Sequence, residues 1–144
     1  MTPAQEAVAA ALTSEHAAVY LYGLVEAFAA PTRRAEIATY AAEHRAQRDA
    51  LARVLAAAGV DVPVAAAAYN PPEPVTDPVS AAKVAVAAED DSAAAHRGVL
   101  THGDGDGVRH LGVTGLGGAA VRGARWRAAL GVTPVTGPFP GIRT

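Results

Sequence analysis

Apolar positions recur at steps of three and four residues in four stretches of this chain, the spacing of one face of an α-helix. In the first stretch Val8, Leu12, Glu15, Val19, Tyr22 and Glu26 share a face. The pattern predicts a helix over 3–30, with Thr2 as its cap and Pro3 in its first turn. In the second, Ile37, Tyr40, His44, Gln47 or Arg48, Leu51 and Leu55 predict a helix over 33–58, bounded by Pro31-Thr32 and Gly59. In the third, Val79, Ala82, Val86, Glu89, Ala93, His96 and Leu100 predict a helix over 78–101, capped by Thr76-Asp77-Pro78. A fourth helix is expected over 108–130, ending at Gly131. It carries Gly112, Gly115, Gly117, Gly118 and Gly123, each costing about 1 kcal/mol relative to Ala, so tertiary packing must hold it together.

The stretch 59–77 breaks the periodicity. Pro63, Pro71, Pro72 and Pro74 exclude a continuous helix there, because proline lacks a donor and restricts its predecessor. So long a connection has a natural use in a four-helix bundle: it travels the bundle's length and lets the third helix run parallel to the second. The expected architecture is therefore all-α, an up-down-down-up bundle over 1–131 followed by an extended Pro/Gly-rich tail, 132–144. Phe139 and Ile142 are expected to pack back on the bundle. At 144 residues the chain is long enough for one domain with a sizeable core. Aromatics make up only 5%, so that core must rely on small side chains.

Charge changes the picture. The net charge of −2 gives no reason to expect nucleic acid or an anionic membrane as partner. All fourteen acids lie at or before Asp106, and five arginines follow it. In a compact bundle that asymmetry suits internal pairing, with arginines of the last helix facing acids of the other three. The chain has no cysteine, which excludes disulfides, thiolate metal sites and cysteine nucleophiles. It has no basic, apolar leader and no unbroken apolar run of membrane-spanning length, so a cytoplasmic protein is expected.

The candidate chemistry lies on the stripes themselves. Glu15, His44, Glu89 and His96 stand where Val or Leu would be ordinary, and a lone ionised Glu on such a face is costly to bury. Three helices each placing a titratable group at mid-length suggest one shared polar layer. Dimetal carboxylate bundles are built this way, from two single Glu residues and two Glu-x-x-His pairs. This chain departs from that pattern twice: Ala46 follows Glu43 at the third position, and the fourth helix holds His110 near its start but no carboxylate after Asp106. A site for Fe, Mn or Zn would have only Glu15, His44, Glu89 and at most His96 to draw on. The favoured reading is a metal-free layer in which Arg122 or Arg125 supplies the positive charge, because guanidinium stays charged when buried and binds carboxylate through two donors. Tyr22, Tyr40 and Trp126 read as core or interface aromatics, with a small-ligand pocket between them as the alternative. The Asp-x-Asp-Gly turn at Asp104 lacks the further acids of a calcium loop, and no nucleophile–base constellation follows from spacing.

Several segments together resemble the ferritin-like DUF4439 proteins of actinobacteria. They are Glu15-His16-Ala17-Ala18-Val19-Tyr20-Leu21-Tyr22-Gly23, Glu43-His44-Arg45 with Arg48-Asp49, Ala68-Tyr69, and Pro74-Val75-Thr76-Asp77. Arg122, Arg125-Trp126 and Pro138-Phe139-Pro140-Gly141 complete the set, which spans nearly the whole chain in order. The resemblance implies a ferritin-like four-helix bundle, a homodimer, and no established activity. It does not carry ferritin iron chemistry to this chain, since the Glu-x-x-His motifs are missing. The expectation is a non-catalytic bundle enclosing a layer of Glu15, His44, Glu89, His96, Arg122 and Arg125, without a cofactor. The alternatives are a metal-dependent oxidase or metal-binding protein using Glu15, His44 and Glu89, and a small-ligand binding bundle.

Overall fold

A computed structural model describes residues 1–143. Four long helices account for most of them: α1 (Pro3–Phe28), α2 (Arg34–Ala57), α3 (Pro78–His102) and α4 (Asp106–Leu130). α1 and α3 open with complete capping boxes, Thr2 with Gln5 and Asp77 with Ser80, each followed by a first-turn proline. α1 stops two residues short of its expected end, because Ala29 and Ala30 are extended ahead of Pro31. A single 3-10 turn, Pro31–Arg33, leads into α2. α4 starts two residues early: Gly105 turns the chain at φ +83°, and Asp106 sits in the first turn where the helix dipole favours an acid.

Side-chain pairs fix the topology. Along α1, Glu15 and then Tyr22 meet His44 and then Tyr40 of α2, and also His96 and then Glu89 of α3. α1 is thus antiparallel to both, and α2 is parallel to α3. α4 returns antiparallel to α3, with Gly115 at His96 and Arg122 at Glu89. The bundle is up-down-down-up. Its crossover starts with Val60 and Val62 packed on one end of the core and finishes with Val75 packed on the other. His16 Nε2 lies 3.1 Å from the Pro63 carbonyl, and Tyr20 packs on Tyr69, so the crossover is tied along α1.

The core is divided in two. Val8, Leu12, Leu51, Leu55 and Val99 fill one half; Tyr22, Val25, Ile37, Tyr40 and Trp126 fill the other. Two expected stripes shift in register. On α1 the buried positions are Ala18 and Val25, not Val19 and Glu26: the inward stripe runs Val8, Ala11, Glu15, Ala18, Tyr22 and Val25, taking its steps of three and four in the opposite phase. On α3, Val79 is 56% exposed and the inward residues of that end are Ala81, Ala82, Val84 and Ala85. An eighteen-residue window of α1 has mean hydropathy 1.2, which by length and composition alone matches a membrane span. Half of that window is buried in the bundle, and it surrounds the buried Glu15.

The glycines of α4 permit close packing on α3. A Cβ at Gly112 would meet the Leu100 backbone nitrogen at 2.6 Å, and one at Gly115 would run into the His96 ring. Gly117 points into open space. Gly115→Ala is expected to destabilise the fold by about 2–4 kcal/mol through overpacking of a filled core. Gly117→Ala should stabilise it by about 0.5–1 kcal/mol through helix propensity. Urea unfolding of the two variants checks the opposite signs.

The tail differs from expectation. Phe139 is 65% exposed and Ile142 50%, so neither is a core anchor. Backbone and charge hold the tail instead. Arg97 Nη1 donates to the Pro140 carbonyl at 3.2 Å, Arg143 pairs with Asp91, and Gly141 rests on the Ala93 carbonyl.

Candidate functional site: a buried carboxylate–histidine layer

Between the two apolar halves lies a connected set of polar side chains. Glu15, His44, Glu89, Ser92 and His96 are 0% exposed, and Arg122 is 5% exposed. Each comes from the inward face of its helix at the height where neither apolar half reaches. Every burial of charge here must be met by a partner, because no water-facing side is left.

His44 is the hub. Its Nδ1 lies 2.6 Å from Glu15 Oε2 and its Nε2 lies 2.9 Å from Glu89 Oε1. Both neighbours are carboxylates and neither can donate, so the ring donates from both nitrogens and is an imidazolium. Burial works against that charge, but the hydrogen bonds to Glu15 and Glu89 outweigh it and lift His44 to about 9. Glu15 also accepts from Ser92 Oγ at 2.7 Å and from His96 Nε2 at 2.9 Å. Burial pushes Glu15 up, yet the hydrogen bonds from His44 and His96 dominate and hold it at about 2. Glu89 Oε1 takes two further donors, Tyr22 OH at 2.5 Å and Arg122 Nε at 3.0 Å. Burial raises Glu89 too, and His44 and Arg122 bring it below the usual carboxylate range. Tyr22 accepts from Trp126 Nε1 at 2.9 Å, and burial followed by the Glu89 charge keeps its phenol protonated. Arg122 Nη1 reaches outward to the half-exposed Glu43 at 2.8 Å.

The interior charges balance: two carboxylates face one imidazolium and one guanidinium. Two polar atoms of the layer lack a partner among the described residues, Glu89 Oε2 and His96 Nδ1. They come from residues seven positions apart on α3, about 10 Å of helix rise, so one ion cannot take both without rearrangement. Both ring nitrogens of His44 are occupied, and a guanidinium stands at Glu89. No group of three or more His, Asp or Glu is arranged to hold a metal among the described residues. In this arrangement His44 has no lone pair to offer a metal, and Glu89 has a guanidinium beside it, which does not suit a metal ligand.

Of the six side chains expected in the layer, the structure brings together Glu15, His44, Glu89, His96 and Arg122. Arg125 is not among them. Its Nη1 lies 3.2 Å from Tyr40 OH, beside the half-buried Tyr40–Glu36 hydrogen bond and away from the layer. The two arginines are three residues apart, about 60° around α4 and about 4.5 Å along it; Arg122 is buried at the height of Glu89, and Arg125 lies beyond it and is exposed. Glu15 has no arginine partner, its counter-charge being His44. Tyr22, Tyr40 and Trp126 form no open pocket between them. Tyr40 packs edge-on against Tyr22 at 6.3 Å and against Trp126 at 6.4 Å, and all three are buried. His110 is exposed. Ser92 was missed, although it lies three residues after Glu89 and four before His96, on the stripe itself. Gly115 was read only as a packing residue, and its missing side chain makes room for the His96 ring.

These shifts fix a pH profile. His44 moves from 6.5 to about 9, so its contribution is complete below pH 6.5 and is lost as pH rises through 9. Glu15 moves from 4.5 to about 2, so its contribution is complete above pH 4.5 and is lost as pH falls towards 2. Unfolding free energy measured across a pH series should form a plateau between these limits with an alkaline limb from 6.5 to 9. In His44→Gln the fold should be weaker and the alkaline limb absent; an unchanged limb would assign the titration elsewhere.

The comparisons agree with this architecture. The chain is similar to a conserved hypothetical protein, rv2844, from Mycobacterium tuberculosis, whose crystal structure superposes with a TM-score of 0.87 at 38% identity. The match covers 96% of this chain and 97% of that one. No curated protein matches the chain. The model of the family described as "Domain of unknown function (DUF4439)" matches residues 7–144. The chain belongs to the DUF4439 family.

Proposed function

We propose that this protein is a metal-free, ferritin-like bundle that works as a homodimer and not as an oxidase. In this reading the charge-balanced Glu/His/Arg layer occupies the position that a metal centre takes in dimetal carboxylate bundles. The observation that carries it is the double engagement of His44, with both nitrogens on carboxylates, beside Arg122 on Glu89. A divalent ion would have to displace two short hydrogen bonds and sit beside a fixed cation. The up-down-down-up order and the long crossover support the ferritin-like assignment. The homodimer rests on the resemblance to the ferritin-like DUF4439 proteins.

Two measurements test this. Elemental analysis of protein purified without chelator, then incubated with Fe(II), Mn(II) or Zn(II) and desalted, should give far less than one metal per chain. Near-stoichiometric metal that disappears in Glu15→Ala would replace the proposal with the oxidase reading. Sedimentation equilibrium should give twice the mass of the 14.5 kDa chain; a monomer across the micromolar range would remove the dimer.

A further inference from the structure

The tail ends in a preformed turn. The Ile142 amide donates to the Phe139 carbonyl at 3.2 Å, Pro140 takes the second position and Gly141 the third, at φ +81°. That is a type II turn, and it holds its first and fourth residues, Phe139 and Ile142, within about 7 Å of each other. The inner side of the turn is pinned to α3. A Cβ at Gly141 would collide with the Ala93 carbonyl, Arg97 donates to the Pro140 carbonyl, and Arg143 pairs with Asp91. The outer side leaves Phe139 65% and Ile142 50% exposed. Towards α4 the tail stands over a cavity of about 530 Å³ floored by Ala93, Ala119 and Ala120. The turn is therefore an apolar ridge on the α4 flank of α3. On the other flank, between α1 and α3, runs an open groove of about 450 Å³. Most of its lining is apolar, with Ala17 and Leu21 from α1, Ala94 and Ala95 from α3, and Tyr69 from the crossover. Arg143 lines both the cavity and the groove, so ridge and groove adjoin on one surface.

We propose that a second copy of this chain docks on that surface, with the Phe139–Ile142 ridge of each copy seated in the α1–α3 groove of the other. Symmetry carries the argument first. Ridge and groove flank α3 on opposite sides, and a twofold axis through α3 near Asp91 exchanges those sides, so one contact is made twice and the assembly closes as a dimer. The chemistry matches as well. An exposed aromatic and an exposed isoleucine meet a hole walled by alanine and Tyr69, the combination of anchor and pocket that centres stable interfaces. The turn is already fixed by its own hydrogen bond and by α3, so docking orders little that was free. Charge is complementary at the axis. The charged residues of the groove lining are Asp91 and Arg143, 57% and 68% exposed, and each Arg143 can pair with the Asp91 of either copy, which leaves neither buried alone. The inference rests on the homodimer proposed above and names the surface that forms it.

The test separates the surface from the dimer itself. A monomer in sedimentation equilibrium of the unaltered chain removes the dimer, and this surface with it. Where the unaltered chain is a dimer, Phe139→Asp on the ridge and Ala94→Arg in the groove should each raise its dissociation constant by about thirtyfold or more, the loss expected at a central anchor. Both positions face outward, and circular dichroism establishes that each variant is folded. Unchanged affinity in either folded variant overturns the surface and leaves the dimer standing. Cross-linking tests the geometry without disrupting it, because the chain has no cysteine of its own. Phe139→Cys and Ala17→Cys chains, mixed in equal amounts and oxidised with copper phenanthroline, should form the mixed disulfide, identified by its mass. Each variant oxidised alone should stay largely uncross-linked, since the twofold holds ridge against groove and not ridge against ridge. Failure of the mixed disulfide to form, or cross-linking as strong in the unmixed variants, overturns the arrangement.

Discussion

The fold depends on one electrostatic condition: two carboxylates that reach no water must meet two positive charges inside the bundle. Glu15 and Glu89 satisfy it through His44 between them and Arg122 at one end. Removing any one member leaves a buried charge unpaired, at a cost of about 3–5 kcal/mol, whereas the complete set is close to neutral against an apolar core of the same volume. The layer is therefore a specificity device. It fixes the height at which α1, α2, α3 and α4 meet, because a shift of one helical turn would separate His44 from both acids.

That condition explains other features. The apolar core is split because the layer crosses the full section of the bundle. Ser92 is small and hydroxylated because Glu15 Oε1 needs a second donor in the space beside His96. α4 is rich in glycine where it passes α3 because the imidazole of His96 occupies the volume a Cβ at Gly115 would take. The helix propensity lost at these positions is offset by close contact with α3, so the least helical sequence in the chain still forms a continuous helix. Tyr22 and Trp126 join the layer to the second core half, extending its hydrogen bonds into aromatic packing.

The layer and the cavity under the tail divide the molecule by chemistry. Within the layer most donors and acceptors are spent on one another, and among the described residues only Glu89 Oε2 and His96 Nδ1 are left without a partner. The cavity has a different make-up, with an alanine floor and two ion pairs at its border, Arg127 with Asp90 and Arg143 with Asp91. A molecule built this way holds its helices in register from the inside.

Much of this was legible in the sequence. The four helices, the prolines of the crossover and the caps at Thr2 and Asp77 follow from periodicity and local backbone chemistry, which act over a few residues. So do the positions of Glu15, His44, Glu89 and His96 on inward stripes. The need for a cation from α4 followed from the distribution of charge along the chain. Which arginine supplies it did not, because Arg122 and Arg125 are equivalent in sequence and differ only in the height and direction each takes once α4 is docked on α3. The pairing of Glu15 with His44 instead of arginine, the filled space among Tyr22, Tyr40 and Trp126, and the cavity beneath the tail are likewise absent from any local pattern. They depend on distances between residues far apart in the chain, and only the tertiary structure sets those distances.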